Sequence, residues 1–341
     1  MTTITRRNLL SGAAILGGAA VFASAWPRRA AAADALTVYN GQHRETTEAL
    51  VAAFTKETGI AVDLRNGESS QLAGQIGEEG ANSPADIFYS EQCPPIAYVA
   101  EKGLLEKIDA STLQQIPAAY AAKDGTWIGA TIRGRVIAYN KKLVQPAALP
   151  KSILDLKSPE YKGKFAYAIR DGFQEQIMAI LVLKGRKEAL DWLRGVKANG
   201  VLYSGNRAAM NAVEKGDVAM AITNNYYWYS MVKETGSADK LNSALHFVGK
   251  QDPGAVLAVS AAGILKSSKR KADAQKFIAF MVGPAGQQAQ VNTTGEYPVR
   301  PGIVSPFKLD PIERYEAAPV TSADFGSAAE AYVLEREAGI I

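Results

Sequence analysis

Short apolar runs with strand character alternate along this chain with longer stretches in which apolar residues recur at helical spacing. The strands predicted in the first third cover 36–39, 60–64 and 85–89. After the first of them, Leu50 and Phe54 fall on one face of a helix that Gly59 ends. A second helix is predicted from Ser69 to Gly80. This order predicts a parallel sheet with helices packed on its faces.

The same alternation returns in the middle of the chain. Strands are predicted at 164–169, 201–204 and 218–222, and helices at 174–184, 187–199 and 207–215. Extended segments at 134–140 and 254–264 separate this part from its flanks. We therefore expect a second α/β lobe that is joined to the first by crossing strands.

The first 33 residues have the order of an export signal. Arg6 and Arg7 precede the weakly apolar stretch 11–25, and small residues at 31–33 offer a cleavage site before Asp34. Paired arginines favour the twin-arginine route, and the apolar stretch is too short to span a membrane. A membrane anchor and a disordered tail are the alternatives. We expect the mature chain to reach the periplasm with its signal peptide removed.

Charge and cysteine content exclude several classes of protein. The chain has 38 basic and 34 acidic residues, and the predicted signal carries four of the arginines and no acid. The mature part is therefore balanced, with 34 of each, and nothing favours nucleic acid or an anionic membrane as a partner. Cys93 is the single cysteine, and His43 and His246 are the only histidines. An internal disulfide and a multi-histidine zinc or copper site are thus excluded.

Polar side chains follow four of the predicted strands. They are His43 and Glu91 in the first lobe, and Arg170, Tyr226 and Tyr227 in the second. In open α/β sheets, ligands bind just outside the carboxyl ends of the strands. The two tyrosines are either packed aromatics with hydrogen-bonded hydroxyls or hard oxygen ligands for a small, highly charged cation. Glu91 is either a ligand or an acid near the start of a helix, and His43 is either a ligand or a packed imidazole.

Six strings of the sequence carry a resemblance to a known family. They are TVYNGQH (37–43), QLAGQ (71–75), PADIFYSEQ (84–92), NNYYWY (224–229), QDPG (251–254) and EYPVR (296–300). In this order and spacing, the set resembles the periplasmic ferric-ion-binding proteins of bacterial iron ABC importers. The resemblance implies an α/β, two-lobed periplasmic binding protein fold (type II-like) with hinge crossing strands, which closes on one iron atom.

The resemblance also implies how the chain is divided and what it meets. Residues 1–33 are the signal, 34–134 and 257–307 form the first lobe, and 135–256 and 308–341 form the second lobe. The expected partner is an inner-membrane ABC permease, and the expected oligomeric state is a monomer.

The same resemblance implies the residues of the site. Carried over by position, the metal ligands are His43, Glu91, Tyr226 and Tyr227, and the residues that bind a partner anion, carbonate or phosphate, are Gln92, Asn206 and Asn224. Glu91 and two deprotonated tyrosines supply three negative charges, which match Fe³⁺, while neutral His43 adds none. Four protein ligands leave two positions of an octahedron for water or an anion.

One segment departs from the family pattern. Where the best-known members have a Ser-Gly-Ala-type loop, this chain has Arg170, Asp171 and Gly172. A guanidinium can bind an anion through its planar fork or can take the anion's place, so we expect Arg170 to change which anion completes the shell. Asp171 either pairs with Arg170 or ligates metal. We expect Arg135 to serve the hinge, while Arg133 either orients an anion or a tyrosinate or links the lobes.

These observations predict a receptor that binds ferric iron between two lobes and delivers it to the membrane permease. The alternative in the same architecture is a receptor for a small organic or inorganic anion, a sugar or a polyamine, with the tyrosines as an aromatic wall. An enzyme is disfavoured because a non-haem iron(II) site needs two histidines and a carboxylate. The sequence also has neither a Gly-x-Ser-x-Gly nor a His-Glu-x-x-His motif.

Overall fold

The computed structural model describes residues 35–341, apart from the side chain at position 171. The predicted export signal at 1–33 lies outside the described residues. The strands are β1 (Leu36–Asn40), β2 (Val62–Asn66), β3 (Ile87–Ser90), β4 (Ile128–Asn140), β5 (Phe165–Tyr167), β6 (Val201–Leu202), β7 (Met220–Asn224), β8 (Ser243–His246), β9 (Leu257–Ile264) and β10 (Tyr297–Pro298). The helices are α1 (Arg44–Thr58), α2 (Ser69–Glu79), α3 (Cys93–Glu101), α4 (Ala110–Leu113), α5 (Asp171–Lys184), α6 (Arg186–Asn199), α7 (Asn206–Lys215), α8 (Asn225–Thr235), α9 (Lys271–Val282), α10 (Pro284–Val291) and α11 (Ala329–Glu337).

The strands pair in the order β2-β1-β3-β9-β4-β7-β5-β6, with β8 and β10 also paired to β4. The pairs β1–β2, β1–β3, β5–β6 and β5–β7 are parallel, which confirms the parallel arrangement predicted for each lobe. The crossing strands β4 and β9 are antiparallel to their neighbours, so the complete sheet is mixed. The fold is α/β with two lobes, which are joined through these strands.

Strand β4 changes partners along its length. Its first half pairs with β9 as far as Gly134, and from Arg135 onward it pairs with β7. At the change, the ring of Tyr315 packs so closely that a Cβ on Gly134 would lie 1.8 Å from a ring carbon. Glycine is therefore required at the point where β4 passes from one lobe to the other.

Two large apolar clusters lie on the two sides of this change. The first draws on residues between 36 and 136 and between 257 and 299, together with Tyr315. The second draws on residues between 137 and 256 and between 325 and 338. The lobe boundaries predicted from the sequence stay a prediction.

Several predicted elements begin or end at other residues than expected. The helix predicted at 174–184 begins already at Asp171, which makes Arg170 its N-cap residue. The strand predicted at 201–204 ends at Leu202. As β6 it lies at the edge of the sheet beside β5, and both of its residues are exposed. The strand predicted at 218–222 runs to Asn224, so that the tyrosines start a helix. The helix end predicted at Gly59 is confirmed, since this residue is a left-handed C-cap.

Within 35–341, none of the helices combines the length and the apolar character that a membrane crossing requires.

Candidate metal centre

His43 stands at the junction between β1 and α1. It is the N-cap residue of α1, and its backbone N–H donates a hydrogen bond to Gln42 Oε1 (2.8 Å). The imidazole is 24% exposed, and its Nε2 lies 3.9 Å from Glu91 Oε1 and 3.6 Å from Glu296 Oε1. Among the described residues this Nε2 has no hydrogen-bond partner. The nitrogen is therefore available to a metal ion.

Glu91 lies between β3 and α3, and its main chain is held from two sides. Its N–H donates to Ser69 Oγ (2.9 Å), and its carbonyl accepts a hydrogen bond from Arg133 Nη2. The N-cap residue of α3 is Gln92, so the role of Glu91 is not that of the cap itself. Its carboxylate is 23% exposed and faces His43 instead.

Tyr226 and Tyr227 lie in the first turn of α8, directly after β7. Their ring centroids are 4.2 Å apart. The hydroxyl of Tyr226 donates to Glu91 Oε1 at 3.5 Å, and its ring packs edge-on against His43 with 5.0 Å between centroids. The two predicted half-sites, one from each lobe, thus face one another.

Burial raises the pKa of both phenols. For Tyr226 desolvation is the largest cause, followed by electrostatic interaction with Glu91 and with Tyr227, and the pKa lies well above its ordinary value although Arg133 acts against the shift. Burial is also the main cause of the raised pKa of Tyr227, where Arg133 and Arg207 favour the tyrosinate. Both side chains are therefore neutral phenols at neutral pH until a cation displaces their protons.

A cavity of about 270 Å³ opens beside the four candidate ligands. Seven of the eight predicted site residues line it, namely His43, Glu91, Gln92, Arg170, Asn206, Asn224 and Tyr227. The eighth, Tyr226, is only 3% exposed and stacks on Tyr227. With a water occupying about 30 Å³ in the liquid, the cavity has room for a metal ion and a small polyatomic anion.

The predicted anion-binding residues stand at the starts of four helices. Gln92, Arg170 and Asn224 are N-cap residues, and Asn206 is the first residue of α7. In the part of the chain that the structure describes, Gln92 Oε1 and Asn206 Oδ1 are buried with no hydrogen-bond partner, whereas Asn224 Oδ1 accepts from Arg135 Nη1 (2.9 Å). Helix N-termini and amide N–H groups both favour an anion.

Arg170 reaches the cavity from the second lobe. Its Nη2 donates to the carbonyl of Ser204 (3.2 Å), and the side chain is exposed. This position permits either of the two roles predicted for the guanidinium. The side chain of Asp171 lies outside the described part of the structure, and both of its predicted roles stay predictions.

Two charged residues of the cavity were missed in the sequence. Glu68 and Arg207 line it, and the guanidinium of Arg207 lies over the ring of Tyr227 at 5.4 Å from the centroid. Glu68 directly precedes the helix start predicted at Ser69, and Arg207 is the first residue of the helix predicted at 207–215. That position was the signal that could have found them, because helix starts lie at the same edge of the sheet as the strand ends.

The two arginines of the crossing strand β4 are both buried. Arg133 Nη1 donates to Glu296 Oε1 (3.3 Å), and Nη2 lies 4.0 Å from Glu91 Oε1. Although burial opposes its charge, these two carboxylates raise the pKa of Arg133 above its usual range. Burial lowers the pKa of Arg135 to about 10. Arg133, whose role the sequence left open, therefore contacts a candidate ligand directly.

Cys93 and His246, which lie outside the set of candidate ligands, make structural contacts. Cys93 is buried, its Sγ donates to the carbonyl of Val259 (3.3 Å), and burial raises the pKa of the thiol. His246 Nε2 lies 2.7 Å from the carbonyl oxygen of Pro150. Within 35–341, no group of three or more His, Cys, Asp and Glu side chains is arranged to hold a metal ion.

Residues 49–320 match the family of bacterial extracellular solute-binding proteins, and the chain belongs to this family. The match contains Glu91, Tyr226 and Tyr227 of the candidate metal centre, and His43 lies six residues before it. The protein is therefore a member of a class whose two-lobed fold receives a solute.

Individual relatives within this class have names that refer to ferric iron. The major ferric iron-binding protein of Neisseria meningitidis is 42% identical over 311 residues, which cover 89% of this chain and 93% of the relative. The Fe(3+)-binding periplasmic protein of Serratia marcescens is 39% identical over 96% of this chain and 98% of its own length. The crystal structure of iron-bound HitA from Pseudomonas aeruginosa superposes with a TM-score of 0.86 at 47% identity, covering 89% of this chain and 99% of that one. These matches confirm the resemblance predicted from the sequence.

Proposed function

We propose that this protein binds ferric iron between its two lobes and delivers it to an inner-membrane ABC permease. The observation that carries the proposal is the meeting of His43 and Glu91 from the first lobe with Tyr226 and Tyr227 from the second. The names of the relatives from Neisseria meningitidis and Serratia marcescens support it.

The chemistry of the four ligands suits a trivalent ion. Carboxylate and phenolate oxygens are hard donors, which prefer hard cations. With Tyr226 and Tyr227 deprotonated, Glu91 supplies the third negative charge, and the bound ion is neutralised by its own ligands. A buried charge is tolerated when it is coordinated in this way. His43 completes the set without adding charge.

Binding is coupled to closure of the lobes. Each lobe holds half of the ligands, so only the closed form surrounds the ion, and the crossing strands β4 and β9 are the connections about which the lobes turn. Release follows when the permease separates the lobes or when protons compete for the ligands.

A partner anion fills the positions that the four ligands leave open. Gln92, Asn206 and Asn224 supply amide donors for it, and Arg170 and Arg207 bring two guanidinium groups to the same cavity. Carbonate and phosphate are the candidates. We expect Arg170 to favour carbonate, or the absence of an anion, over phosphate, because the guanidinium fork competes for the phosphate position.

The receptor acts in the periplasm after export and removal of the signal peptide at 1–33. The basis for this location is the twin-arginine pattern of the sequence and the periplasmic relative from Serratia marcescens. We infer a monomeric receptor without catalytic activity, since its family comprises solute-binding proteins.

A receptor for a small anion is the second candidate. The exposed guanidinium groups of Arg170 and Arg207 favour it, because they face the cavity, and among the described side chains of its lining the acids are Glu68 and Glu91. In that case the tyrosines form an aromatic wall and the purified protein carries no metal.

Metal analysis and a visible spectrum of periplasm-purified protein test the proposal. Phenolate bound to Fe³⁺ gives a visible charge-transfer band, which a strong chelator removes. Tyr226→Phe and Tyr227→Phe should each shift or abolish the band. Tyr229→Phe is the matched control, since this buried tyrosine of the same helix donates to Asp310 Oδ2 (2.8 Å) instead. Colourless, iron-free protein that gains no band on exposure to ferric iron would contradict the proposal.

A further inference from the structure

A fully buried carboxylate lies beside the candidate ligands. Glu296 Oε2 accepts hydrogen bonds from Thr131 Oγ1 (2.5 Å) and Gln42 Nε2 (3.3 Å). Its Oε1 accepts from Arg133 Nη1 (3.3 Å) and lies 3.6 Å from His43 Nε2. Coordination of iron by His43, Glu91, Tyr226 and Tyr227, as proposed, does not use this carboxylate.

The partners of Glu296 are the residues that hold both ligands of the first lobe. Gln42, which donates to Glu296 through Nε2, accepts the backbone N–H of His43 through Oε1. Arg133, which donates to Glu296 through Nη1, donates to the carbonyl of Glu91 through Nη2. One carboxylate therefore orients the supports of His43 and of Glu91 together.

The residue before Glu296 contacts the other half-site. The carbonyl of Gly295 accepts a hydrogen bond from Asn225 Nδ2 (3.0 Å), and Asn225 directly precedes Tyr226. A Cβ on Gly295 would lie 3.2 Å from Tyr226 Cα, so the two backbones are in close contact. The segment 295–296 thus contacts the backbone at Tyr226 as well as the residues that hold His43 and Glu91.

We propose that Glu296 is a positioning residue of the iron site, which orients the two ligands of the first lobe and neutralises Arg133 beside them. This inference rests on the proposed function. Its electrostatic part follows from charge balance, because Glu91 and two tyrosinates already cancel the charge of Fe³⁺. Without Glu296, the buried guanidinium of Arg133 would add an uncompensated positive charge next to the bound cation.

The stability of the fold does not by itself explain why Arg133 and Glu296 are buried as an ion pair. Desolvation of two buried charges offsets much of their attraction, so a buried ion pair contributes little to stability by comparison with apolar side chains. Orientation of metal ligands by a hydrogen-bonded carboxylate is a common use of such a group, and its loss typically costs about 10- to 100-fold in metal affinity.

The test is Glu296→Gln, which keeps the shape and removes the charge. We expect iron affinity, measured by competition with nitrilotriacetate, to fall by about 10- to 100-fold, with a shifted tyrosinate–iron band. The matched control is Glu214→Gln on α7, where the carboxylate accepts from Ser243 Oγ and the backbone N–H of Asn242. This control should bind iron as wild type does.

A second variant covers the case in which Glu296→Gln does not fold. Thr131→Val removes the shortest hydrogen bond of Glu296 and leaves every charge in place, and it should weaken iron binding less than Glu296→Gln, with a smaller shift of the band. Wild-type affinity and spectrum in whichever of these variants folds would overturn the inference. Failure of wild type itself to bind iron would instead overturn the proposed function, so the two failures are distinguishable.

Discussion

Iron binding should release the protons of two buried phenols. Tyr226 and Tyr227 both have a pKa above the ordinary value, for which burial is the largest cause, and as ligands both must be deprotonated. We therefore predict that loading the protein near neutral pH releases about two protons per iron from these residues.

The expected pH dependence follows from this number. Since the empty protein holds the protons and the iron complex does not, acidification favours the empty protein. Each released proton changes the logarithm of the apparent binding constant by about one per pH unit. Two phenols thus weaken iron binding by about four orders of magnitude between pH 8 and pH 6, before protonation of the iron donor is taken into account.

The assay is titration calorimetry with ferric nitrilotriacetate in two buffers of different ionisation enthalpy, which gives the number of protons exchanged. The contribution of the iron donor is the same for every variant, so differences between variants report on the protein. Tyr227→Phe should release about one proton fewer than wild type, while Tyr229→Phe should match wild type. Equal release by wild type and Tyr227→Phe would refute the assignment of Tyr227 as a ligand.

Three further predictions concern the anion, the crossing strand and alkaline stability. Arg170→Ser should make the tyrosinate–iron band respond more strongly to phosphate than wild type, and an equal response in titrations of both would contradict the role given to Arg170. Gly134→Ala should destabilise the iron-free protein by about 1–3 kcal/mol, because the new Cβ meets the ring of Tyr315, and denaturant unfolding measures this. Burial raises the pKa of Tyr297 to about 12, from about 10 in the unfolded chain. The stability contributed by the protonated phenol of Tyr297 is therefore fully present below about pH 10 and is lost as the pH rises toward about 12. Thermal unfolding of the iron-free protein across this range should show a smaller loss for Tyr297→Phe than for wild type.

Local sequence patterns were sufficient to predict the order of the strands and helices and to predict that the site lies at the carboxyl ends of the strands. His43 and Glu91 follow buried strands, and the carboxyl ends of parallel strands meet at one edge of a sheet, so their proximity could be expected. The early start of α5 was not predicted, because Arg170 and Asp171 lack the apolar spacing that marks a helix. The resulting position of Arg170 as an N-cap residue is a finding of the structure.

Contacts between segments that are distant along the chain could not be predicted from the sequence. Glu296 lies 254 residues from Gln42 and 163 residues from Arg133, and no periodicity relates them. The string that contains Glu296 contributed to the family resemblance, but its chemistry became visible only through the hydrogen bonds of the buried carboxylate. Arg207 was missed for the related reason that a charged residue near a helix start is usually solvated.

The crossing strand joins the hinge to the charge balance of the site. Arg133 contacts Glu91 of the first half-site, and two residues further along β4, Arg135 donates to Asn224, the N-cap residue of the helix that carries both tyrosines. The strand that joins the lobes therefore places one guanidinium against each half-site. In the closure that we propose, the two half-sites and the guanidinium groups of β4 come together around the cation, with Glu296 neutralising Arg133. On this proposal, closure of the lobes and neutralisation of the cation are two aspects of one movement.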